Sequence, residues 1–500
     1  MSDTDANVKA SLRAARRAQT EWQATPLRRR LDFVGRLRHL IVEHADQLAA
    51  SVDLPSRGGA AETLSAEVVP LADACRFLQQ RAERILAPRR LGRRGRPIWL
   101  WGTRFEVHRE PFGVVLILAP WNYPLLLPGV QAIQALVAGN AVLIKPRLAV
   151  RAAETLVQLI HEAGIDPNLC VLLPESIEAA KAAIDEGVDR VLLTGSASTG
   201  RAVLGQLADH LTPATMELSG CDAVIVRADA DLDRVARAVL FGLRLNSGAT
   251  CIAPRRVFVH RSRYRALLEQ LTRPRQVQLP LHVDEAALAA AHPLIADAIR
   301  QGARPVVGRF GDNRIEWPLV LADAHAEMEL LRADVFVPVA AVAPVDNDEA
   351  ALEAVRSCPY GLGAAVFGDD RQAAYRLAQR LPAGFVTVGD LIVPTVDPRV
   401  PFGGRGASGF GTTRGLEGLL ELTTVKVIAV RRTGWLPHLD AFAATDQSGD
   451  RETPDANAAA DHIEPLMRAY LKLAHGRSLG DRARAIGALW RAARTYRRRQ

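Results

Sequence analysis

Cysteine is scarce in this chain of 500 residues, and the cysteines that occur form no pattern. They stand far apart, at positions 75, 170, 221, 251 and 358. Their number is odd and none belongs to a Cys-x-x-Cys pair, which excludes a disulfide framework and argues against a zinc site. We therefore expect no metal and a reducing, cytoplasmic setting. The polar and acidic start, Met-Ser-Asp-Thr-Asp, lacks the character of a secretory signal.

The chain also lacks an apolar run that is uniform enough to span a membrane. No charged residue occurs between Glu110 and Lys145, but prolines, glycines and asparagines interrupt this stretch. We interpret residues 112–118 as a strand buried on both faces, residues 128–138 as a buried helix and residues 141–144 as a second strand. Strand, helix and strand in this order are typical of a parallel sheet.

An excess of positive charge is missing from most of the chain, although the net charge is +8. Residues 461–500 hold ten Lys or Arg against three Asp or Glu, a net charge of +7, so the first 460 residues carry only about +1. Nucleic-acid binding by the main body is therefore not expected.

What is present is an alternation of short apolar runs with helical stretches such as 151–163 and 199–211. The predicted strands are 112–118, 141–144, 169–173, 190–194 and 223–226, followed by strands near 256–260, 339–343, 364–367 and 385–388. This rhythm predicts an α/β protein with two parallel-sheet domains in sequence. Cys251 stands near the start of the second domain, so we expect it in the cleft between the two, where ligands commonly bind.

Cys251 and Glu217 form the candidate catalytic pair. Cys251 follows small residues that leave room for a substrate, and Glu217 lies between apolar neighbours, which can raise its pKa towards that of a useful base. A nucleophilic thiol with a separate base is an arrangement for covalent catalysis. Each residue alone also fits a simpler interpretation, a buried free cysteine and a solvated glutamate.

Three glycine-rich stretches differ in value. Gly404–Gly409 satisfies G-x-G-x-x-G, but no strand leads into it, so we reject it as a dinucleotide fingerprint. Gly195–Ala202 lacks the lysine of a phosphate loop, which excludes a nucleotide triphosphatase. It nevertheless follows a predicted strand and precedes a helix, whose first amides can face a pyrophosphate. Asn246–Gly248 provides an approach loop for Cys251.

Six short motifs follow one another along residues 6–431. They are Pro120-Trp-Asn122-Tyr-Pro124, Lys145-Pro146, Thr194-Gly-Ser196 with Gly200, Glu217-Leu-Ser-Gly220, Gly248-Ala-Thr-Cys251, and Pro401-Phe-Gly-Gly404 with Ser408-Gly409. In this order they resemble the aldehyde dehydrogenase superfamily. The sequence around Glu217 and around Cys251 (Thr250-Cys-Ile-Ala-Pro254) is most similar to the class 3, or fatty aldehyde, branch.

The resemblance implies a role for each matching residue. Cys251 would attack the aldehyde carbon as thiolate, the Asn122 amide and the Cys251 backbone N–H would hold the oxyanion, and Glu217 would activate water. A nicotinamide dinucleotide would accept the hydride. Its expected binding residues are Pro120, Trp121, Lys145, Gly195, Ser196, Gly200, Asp334 and Phe336.

The resemblance also implies an aldehyde dehydrogenase-like fold with a definite domain organisation. We expect a Rossmann-like cofactor-binding domain over 1–225, which includes N-terminal helices and an oligomerisation hairpin at 98–108. A catalytic domain over 226–398 and a return segment with an oligomerisation strand over 399–432 would follow. A linker over 433–460 and a basic helical tail over 461–500 have no counterpart in the resemblance.

Departures from the family pattern fall in the dinucleotide site. Leu148 stands where many members carry a glutamate that binds the adenosine ribose, and Arg147 and Arg151 lie close to it in sequence. The missing carboxylate removes a repulsion against a 2′-phosphate, so NAD and NADP stay equally open. Asp334 is one methylene shorter than the usual glutamate, and Val337 replaces a glycine.

The tail and the activity each leave alternatives open. Ile486, Leu489 and Trp490 keep helical spacing with arginines interleaved, which suits a helix on an anionic membrane surface or one docked on the enzyme body or a partner subunit. We expect a homodimer or homotetramer that oxidises an apolar aliphatic or aromatic aldehyde. The alternatives are a binding or scaffold subunit with an impaired cofactor site and a fatty acyl-CoA reductase that uses the same thioester in reverse.

Overall fold

The computed structural model describes residues 3–97, 100, 102–273, 280–311, 314–431 and 456–497. The chain divides into two compact units, Met1–Pro88 with His108–Lys426 and Arg89–Val107 with Val427–Gln500. The first unit contains a six-stranded and a seven-stranded sheet, and the second contains strands of a three-stranded sheet and the C-terminal helices.

The first unit begins with helices and continues as alternating strands and helices. Its helices are α1 (Asp3–Ala24), α2 (Leu27–Glu43), α3 (Ala45–Ser51), α4 (Ala60–Thr63), α5 (Val69–Leu86), α6 (Leu126–Ala138), α7 (Val150–Glu162), α8 (Ile177–Asp185), α9 (Ala197–Ala208), α10 (Leu232–Arg244), α11 (Tyr264–Thr272), α12 (Glu285–Arg300), α13 (Asp348–Arg356), α14 (Arg371–Ala378) and α15 (Gly415–Glu421). The predicted helices over 128–138, 151–163 and 199–211 are confirmed as α6, α7 and α9 to within a few residues.

The strands are numbered along the whole chain. They are β1 (Arg89–Arg90), β2 (Thr103–Pro111), β3 (Val114–Leu118), β4 (Ala141–Lys145), β5 (Cys170–Leu172), β6 (Arg190–Gly195), β7 (Ala214–Leu218), β8 (Asp222–Val226), β9 (Pro254–His260), β10 (Arg304–Gly311), β11 (Arg314–Ala322), β12 (Val339–Val345), β13 (Tyr360–Gly361), β14 (Gly363–Phe367), β15 (Phe385–Val388), β16 (Arg405–Gly406), β17 (Gly409–Phe410) and β18 (Thr423–Arg431).

The six-stranded sheet has the order β17-β7-β6-β3-β4-β5 and is parallel except at β17. Its central strand β3 is buried at every position, as its continuous apolar run predicts for a strand covered on both faces. The carboxyl ends of β3, β4 and β6 lie side by side, so the residues that follow them meet at one edge of the sheet.

The seven-stranded sheet has the order β10-β11-β12-β9-β8-β14-β15 and is parallel apart from the β10–β11 hairpin. Apolar residues pack on both of its faces, and a larger apolar core surrounds the six-stranded sheet. The α/β fold with two largely parallel sheets is therefore confirmed. Strand β8 belongs to this second sheet, and the predicted domain boundary after residue 225 falls within that strand.

The sequence pattern missed strand β7, which lies between β17 and β6 in the six-stranded sheet. Strand β7 carries Glu217 in the sequence Ala-Thr-Met-Glu-Leu, and its last four residues are buried. A charged residue inside a strand breaks the apolar run by which the other buried strands were found. Segment Gly404–Gly409 forms no helix but two short strands, β16 and β17, which agrees with its rejection as a dinucleotide fingerprint.

The second unit contains most of the three-stranded sheet β1-β2-β18 and the helices α16 (Ala456–His475) and α17 (Leu479–Arg497). The expected hairpin at 98–108 falls partly outside the described residues. The strand that begins at Thr103 pairs with Arg89–Arg90, which lies upstream of the expected hairpin. Most of the expected linker over 433–460 also lies outside the described residues. No helix in the described ranges is long and apolar enough to cross a membrane.

Candidate active site

Cys251 follows a loop with unusual backbone geometry. Asn246, Ser247 and Gly248 are left-handed in succession, with φ angles of 51°, 49° and 78°. A Cβ atom at Gly248 would lie 2.5 Å from the backbone nitrogen of Pro338, so only glycine fits. Left-handed residues other than glycine cost about 1–3 kcal/mol each, and such strain persists where the surroundings enforce it.

Residues near the start of the chain hold this loop. Glu62 Oε1 accepts a hydrogen bond from the Asn246 backbone N–H at 2.6 Å. Ser56 Oγ donates to Asn246 Oδ1 at 2.9 Å, and Ser247 Oγ donates to the Ser56 carbonyl at 2.8 Å. These bonds compensate the strain and present Cys251 partly exposed at the end of the loop.

Asn122 is bound directly to the segment that carries the thiol. Its Nδ2 donates to the carbonyl of Ala249 at 2.9 Å, two residues before Cys251. The backbone carbonyl of Asn122 accepts hydrogen bonds from Arg57 Nη2 at 2.8 Å and from Asn246 Nδ2 at 3.0 Å. The amide is thus fixed beside the nucleophile, as an oxyanion donor would need to be.

The buried pair Arg57 and Glu67 supports this turn and escaped the sequence analysis. Arg57 Nη2 lies 2.6 Å from Glu67 Oε1, and both side chains are almost fully buried. Glu67 Oε2 accepts the backbone N–H groups of Leu125 and Leu126 at 2.8 and 3.1 Å. The pair therefore fixes the start of α6, which begins four residues after Asn122.

Glu217 points into the interior from strand β7, with 3% of its surface exposed. Thr413 Oγ1 donates to its Oε2 at 3.0 Å, while Oε1 has no hydrogen-bond partner among the described residues. Burial raises the pKa of Glu217, and Arg414 and Thr413 oppose that shift. A buried carboxylate with one free oxygen and a raised pKa is suited to accept a proton from water.

Cys251 and Glu217 line one cavity of about 280 Å³. Arg414 shares it, and the other lining residues are mostly aliphatic or aromatic. They are Ser65, Ala66, Tyr123, Leu126, Leu127, Phe241, Leu245, Thr250, Ile252, Ile392, Val393, Thr395, Val396 and Phe402. The structure therefore brings together the predicted nucleophile and base in one largely apolar pocket.

The surroundings of Cys251 disfavour its thiolate form. Burial raises the pKa of Cys251, and the nearby carboxyl groups of Glu217 and Asp222 raise it further. Arg414 acts in the opposite direction. Nothing in the motif Thr-Thr-Arg414-Gly indicated this arginine, because its approach depends on a backbone φ of 60° and not on sequence spacing.

The predicted dinucleotide residues collect at the carboxyl ends of β3, β4 and β6. Lys145 ends β4, Gly195 ends β6, and Pro120 and Trp121 follow β3. Ser196 caps α9, accepting the Thr199 backbone N–H at 3.2 Å. A Cβ atom at Gly200 would lie 2.9 Å from the Leu218 side chain, so this glycine allows α9 to pack closely on β7.

Asp334 and Phe336 lie beside the catalytic loop. Phe336 contacts Trp121, with ring centres 6.4 Å apart, next to Asn122 in the chain. The Ser219 hydroxyl donates to Asp334 Oδ2, whereas Asp334 Oδ1 is buried with no partner in the described part of the chain. An unsatisfied buried carboxylate oxygen fits a ribose hydroxyl, so these residues fit a dinucleotide despite the shorter aspartate.

A carboxylate that the sequence pattern did not reveal, Glu175, is bound to the backbone of Leu148, the residue that replaces the family glutamate. Glu175 Oε1 accepts the Leu148 backbone N–H at 2.6 Å. Leu148 itself is left-handed, with φ 60°, and its side chain is largely exposed. Glu175 also acts on Lys145, where it opposes the lowering of the Lys145 pKa by burial. The loop after β5 thus restores a negative charge beside Lys145.

No group of three or more His, Cys, Asp or Glu side chains within the described ranges is arranged to hold a metal ion.

Comparison with known proteins identifies the family. Residues 1–428 match the aldehyde dehydrogenase family. A 4,4'-diapolycopene aldehyde oxidase of Methylomonas is 31% identical over 426 residues, which cover 83% of this chain and 80% of the relative.

Solved structures agree with that match. An NADP-dependent enzyme of E. coli superposes with a TM-score of 0.79 at 26% identity, covering 86% of this chain and 91% of that one. The NAD+ complex of a Bacillus cereus aldehyde dehydrogenase gives a TM-score of 0.78 at 26% identity, covering 86% and 90%. The chain therefore belongs to the aldehyde dehydrogenase family, whose members are oxidoreductases that oxidise aldehydes with NAD or NADP.

Proposed function

We propose that this protein oxidises an apolar aldehyde to its carboxylic acid through a covalent intermediate on Cys251. The observation that carries the proposal is the shared cavity, which Cys251 and Glu217 line together with mostly apolar residues. Asn122 is hydrogen-bonded to the segment that holds the thiol. Nucleophile, base and oxyanion donor are thus within one small region.

In this reaction the Cys251 thiolate attacks the carbonyl carbon and forms a thiohemiacetal oxyanion. The Asn122 amide and the Cys251 backbone N–H stabilise that oxygen, for which Asn122 Nδ2 turns from the Ala249 carbonyl to the substrate. The bound dinucleotide supplies the acceptor for the hydride, which leaves a thioester on Cys251. Glu217 then takes a proton from water, whose oxygen attacks the thioester, and the acid leaves as the thiolate is restored.

The cavity supports an apolar substrate. Beyond the reactive groups its wall is almost entirely hydrocarbon, and Phe241, Val393 and Val396 remain substantially exposed at its edge. A relative is named for the oxidation of 4,4'-diapolycopene aldehyde. The wording around Glu217 and Cys251 leads us to place the chain near the class 3, or fatty aldehyde, branch.

A panel of aldehydes tests the function directly. With purified full-length protein and either NAD or NADP, we expect reduced nicotinamide with aliphatic and aromatic aldehydes, and a kcat/KM that rises with chain length as apolar surface is buried. A negligible rate with every aldehyde would contradict the proposal. Turnover of acyl-CoA would favour the reductase alternative, and dinucleotide binding without any turnover would favour a scaffold subunit.

We also propose that Glu175 gives the dinucleotide site a preference for NAD. Its carboxylate, held at the Leu148 backbone, stands beside Lys145, the residue proposed to bind the adenosine ribose. A carboxylate there accepts bonds from ribose hydroxyls and repels a 2′-phosphate. The nearby Arg147 and Arg151 would favour NADP only if this negative charge were absent.

Replacing Glu175 with glutamine should therefore shift the cofactor preference towards NADP. We expect the ratio of the NADP to the NAD dissociation constant to fall by about tenfold or more, which corresponds to about 1.4 kcal/mol. Titration calorimetry of the protein without aldehyde measures both constants. Glu178→Gln is the matched control, because this carboxylate also acts on Lys145 but, in the described part of the chain, is not hydrogen-bonded to Leu148. Equal ratios in the parent and Glu175→Gln would refute the assignment.

Assembly and the tail remain proposals. Strand β18 exposes Val425, Val427, Ile428 and Val430, which suits an edge or face used for self-association into a dimer or tetramer. In the tail, Leu479, Ile486 and Trp490 are more than half exposed and arginines lie among them, which suits an anionic membrane surface. Sedimentation velocity measures the self-association, and co-sedimentation with anionic vesicles measures the membrane contact. The division into domains over 1–225 and 226–398 stays a prediction.

A further inference from the structure

A buried guanidinium lies in the cavity beside the two reactive groups. Arg414 is only 8% exposed, yet it lines the cavity together with Cys251 and Glu217. Its Nη1 donates to the carbonyl of Thr395 at 2.7 Å, and its guanidinium carbon lies 4.5 Å from the centre of the Phe402 ring. These contacts fix the group but leave Nε buried without a partner among the described residues.

Glu217 offers a matching unsatisfied atom in the same cavity. Its Oε2 accepts from Thr413, the residue that precedes Arg414, while Oε1 has no partner in the described part of the chain. A buried charge is unfavourable unless an opposite charge or hydrogen bonds compensate it. The Arg414 guanidinium and the Glu217 carboxylate therefore both line the cavity in which the substrate would react, and each has one polar atom without a partner among the described residues.

We infer that Arg414 is a positioning residue whose positive charge favours the ionised forms of Cys251 and Glu217 during turnover. The inference rests on the proposed function, in which Cys251 reacts as thiolate and Glu217 as carboxylate. Both groups must be negative in an apolar cavity, which by itself favours their neutral forms. One fixed guanidinium serves both steps, first beside the attacking sulfur and later beside the base.

Other charged groups around the thiol do not supply this effect equally. The groups that act on Cys251 from neighbouring segments are Glu217, Asp222, Tyr123, Arg255 and Arg414. Glu217 and Asp222 oppose ionisation of the sulfur. Arg255 is engaged with backbone carbonyls, including that of Gly248 at 2.6 Å, and it does not line the cavity. Arg414 faces the reacting space itself.

The pH dependence of Cys251 alkylation tests the inference without aldehyde or dinucleotide. Iodoacetamide labelling of the Cys251 peptide is followed by mass spectrometry across pH for the parent, Arg414→Met and Arg414→Lys. An opposite charge nearby moves a pKa by about 1–3 units, so we expect the alkylation midpoint of Arg414→Met to rise by about one unit or more. Arg414→Lys keeps the positive charge, so its alkylation midpoint should stay close to that of the parent.

Arg190→Met is the matched control. Arg190 is another buried arginine that stacks on a ring, 4.9 Å from the centre of Phe112, and it does not line the cavity. This variant should lower the thermal midpoint and leave the alkylation midpoint unchanged. Arg414→Gln, which can still donate to the Thr395 carbonyl, replaces Arg414→Met if the latter does not fold.

An unchanged alkylation midpoint in a folded variant that lacks the charge would overturn the inference. If the same variant also shows a KM increase confined to aldehydes that carry a carboxylate, Arg414 is a substrate-recognition residue instead. Because labelling needs no turnover, a protein inactive on every aldehyde can still give the predicted shift. Failure of the proposed function is thereby distinguished from failure of this inference.

Discussion

Replacement of Cys251 with alanine is expected to abolish aldehyde oxidation. The sulfur is the nucleophile that attacks the aldehyde in the proposed reaction, and removing the nucleophile of a well-studied protease lowers kcat by about 10⁶-fold. We therefore expect a loss of at least about 10⁴-fold, to the detection limit of a continuous assay of reduced nicotinamide. Dinucleotide binding, measured by calorimetry, should remain within about threefold of the parent, since a threefold change is less than 1 kcal/mol.

Cys170→Ala provides the control for this variant. Cys170 is fully buried in β5 and does not line the cavity, so its loss removes a thiol that takes no part in the proposed chemistry. It should lower stability modestly and leave kcat near that of the parent. Undiminished activity in Cys251→Ala would exclude a thioester intermediate on this residue.

Glu217→Gln is expected to separate the two halves of the reaction. In the proposed order the base acts after the hydride has left, so each site should still form one reduced nicotinamide rapidly. Hydrolysis of the thioester should then fall by about 10²–10⁴-fold, the range for loss of a general base. Stopped-flow absorbance should record a burst of about one equivalent per site followed by a slow steady state.

The pH profile supplies a second measurement on Glu217. Because burial raises its pKa, the parent kcat should fall as pH drops through a value above the ordinary glutamate pKa of about 4.3. The acid limb should be absent in Glu217→Gln, which has no carboxylate to protonate at this position.

Glu110→Gln is the control for this variant. Glu110 is an exposed carboxylate that pairs with Lys426 and does not line the cavity, so its replacement should change neither the pH profile nor the rate. An equal loss of burst and steady state would place Glu217 before hydride transfer and contradict its role as the base for hydrolysis.

The sequence was sufficient where chemistry and pattern coincide. Continuous apolar runs predicted the buried strands such as β3 and β14, because strands covered on both faces carry little else. Motif order predicted the family and the residues that the cavity brings together, Cys251 and Glu217. Strand β7 escaped because the carboxylate that gives it function also interrupts its apolar pattern.

The residues that the sequence did not reveal reach the site through tertiary geometry. Arg414 turns inward from a left-handed residue, and Glu175 approaches Leu148 across a loop 27 positions away. Arg57 and Glu67 support the Asn122 turn from a helical region that carries no recognisable motif. Charged residues are usually exposed, so composition and spacing alone favour solvent for each of them. Only the packing reveals that Arg414, Arg57 and Glu67 are buried and that Glu175 reaches the Leu148 backbone.

The anchoring of the left-handed loop before Cys251 has a consequence for how the site assembles. Ser56 and Asn246, whose side chains bond to each other, are 190 positions apart in the chain. A fragment limited to the predicted catalytic domain would contain the thiol but not Ser56 or Glu62. The nucleophile can therefore acquire its working geometry only after the first sixty residues have folded against it. During synthesis the N-terminal residues that anchor the loop are made long before the loop itself. A protein cleaved within this N-terminal part would keep Cys251 but lose the geometry of its active site.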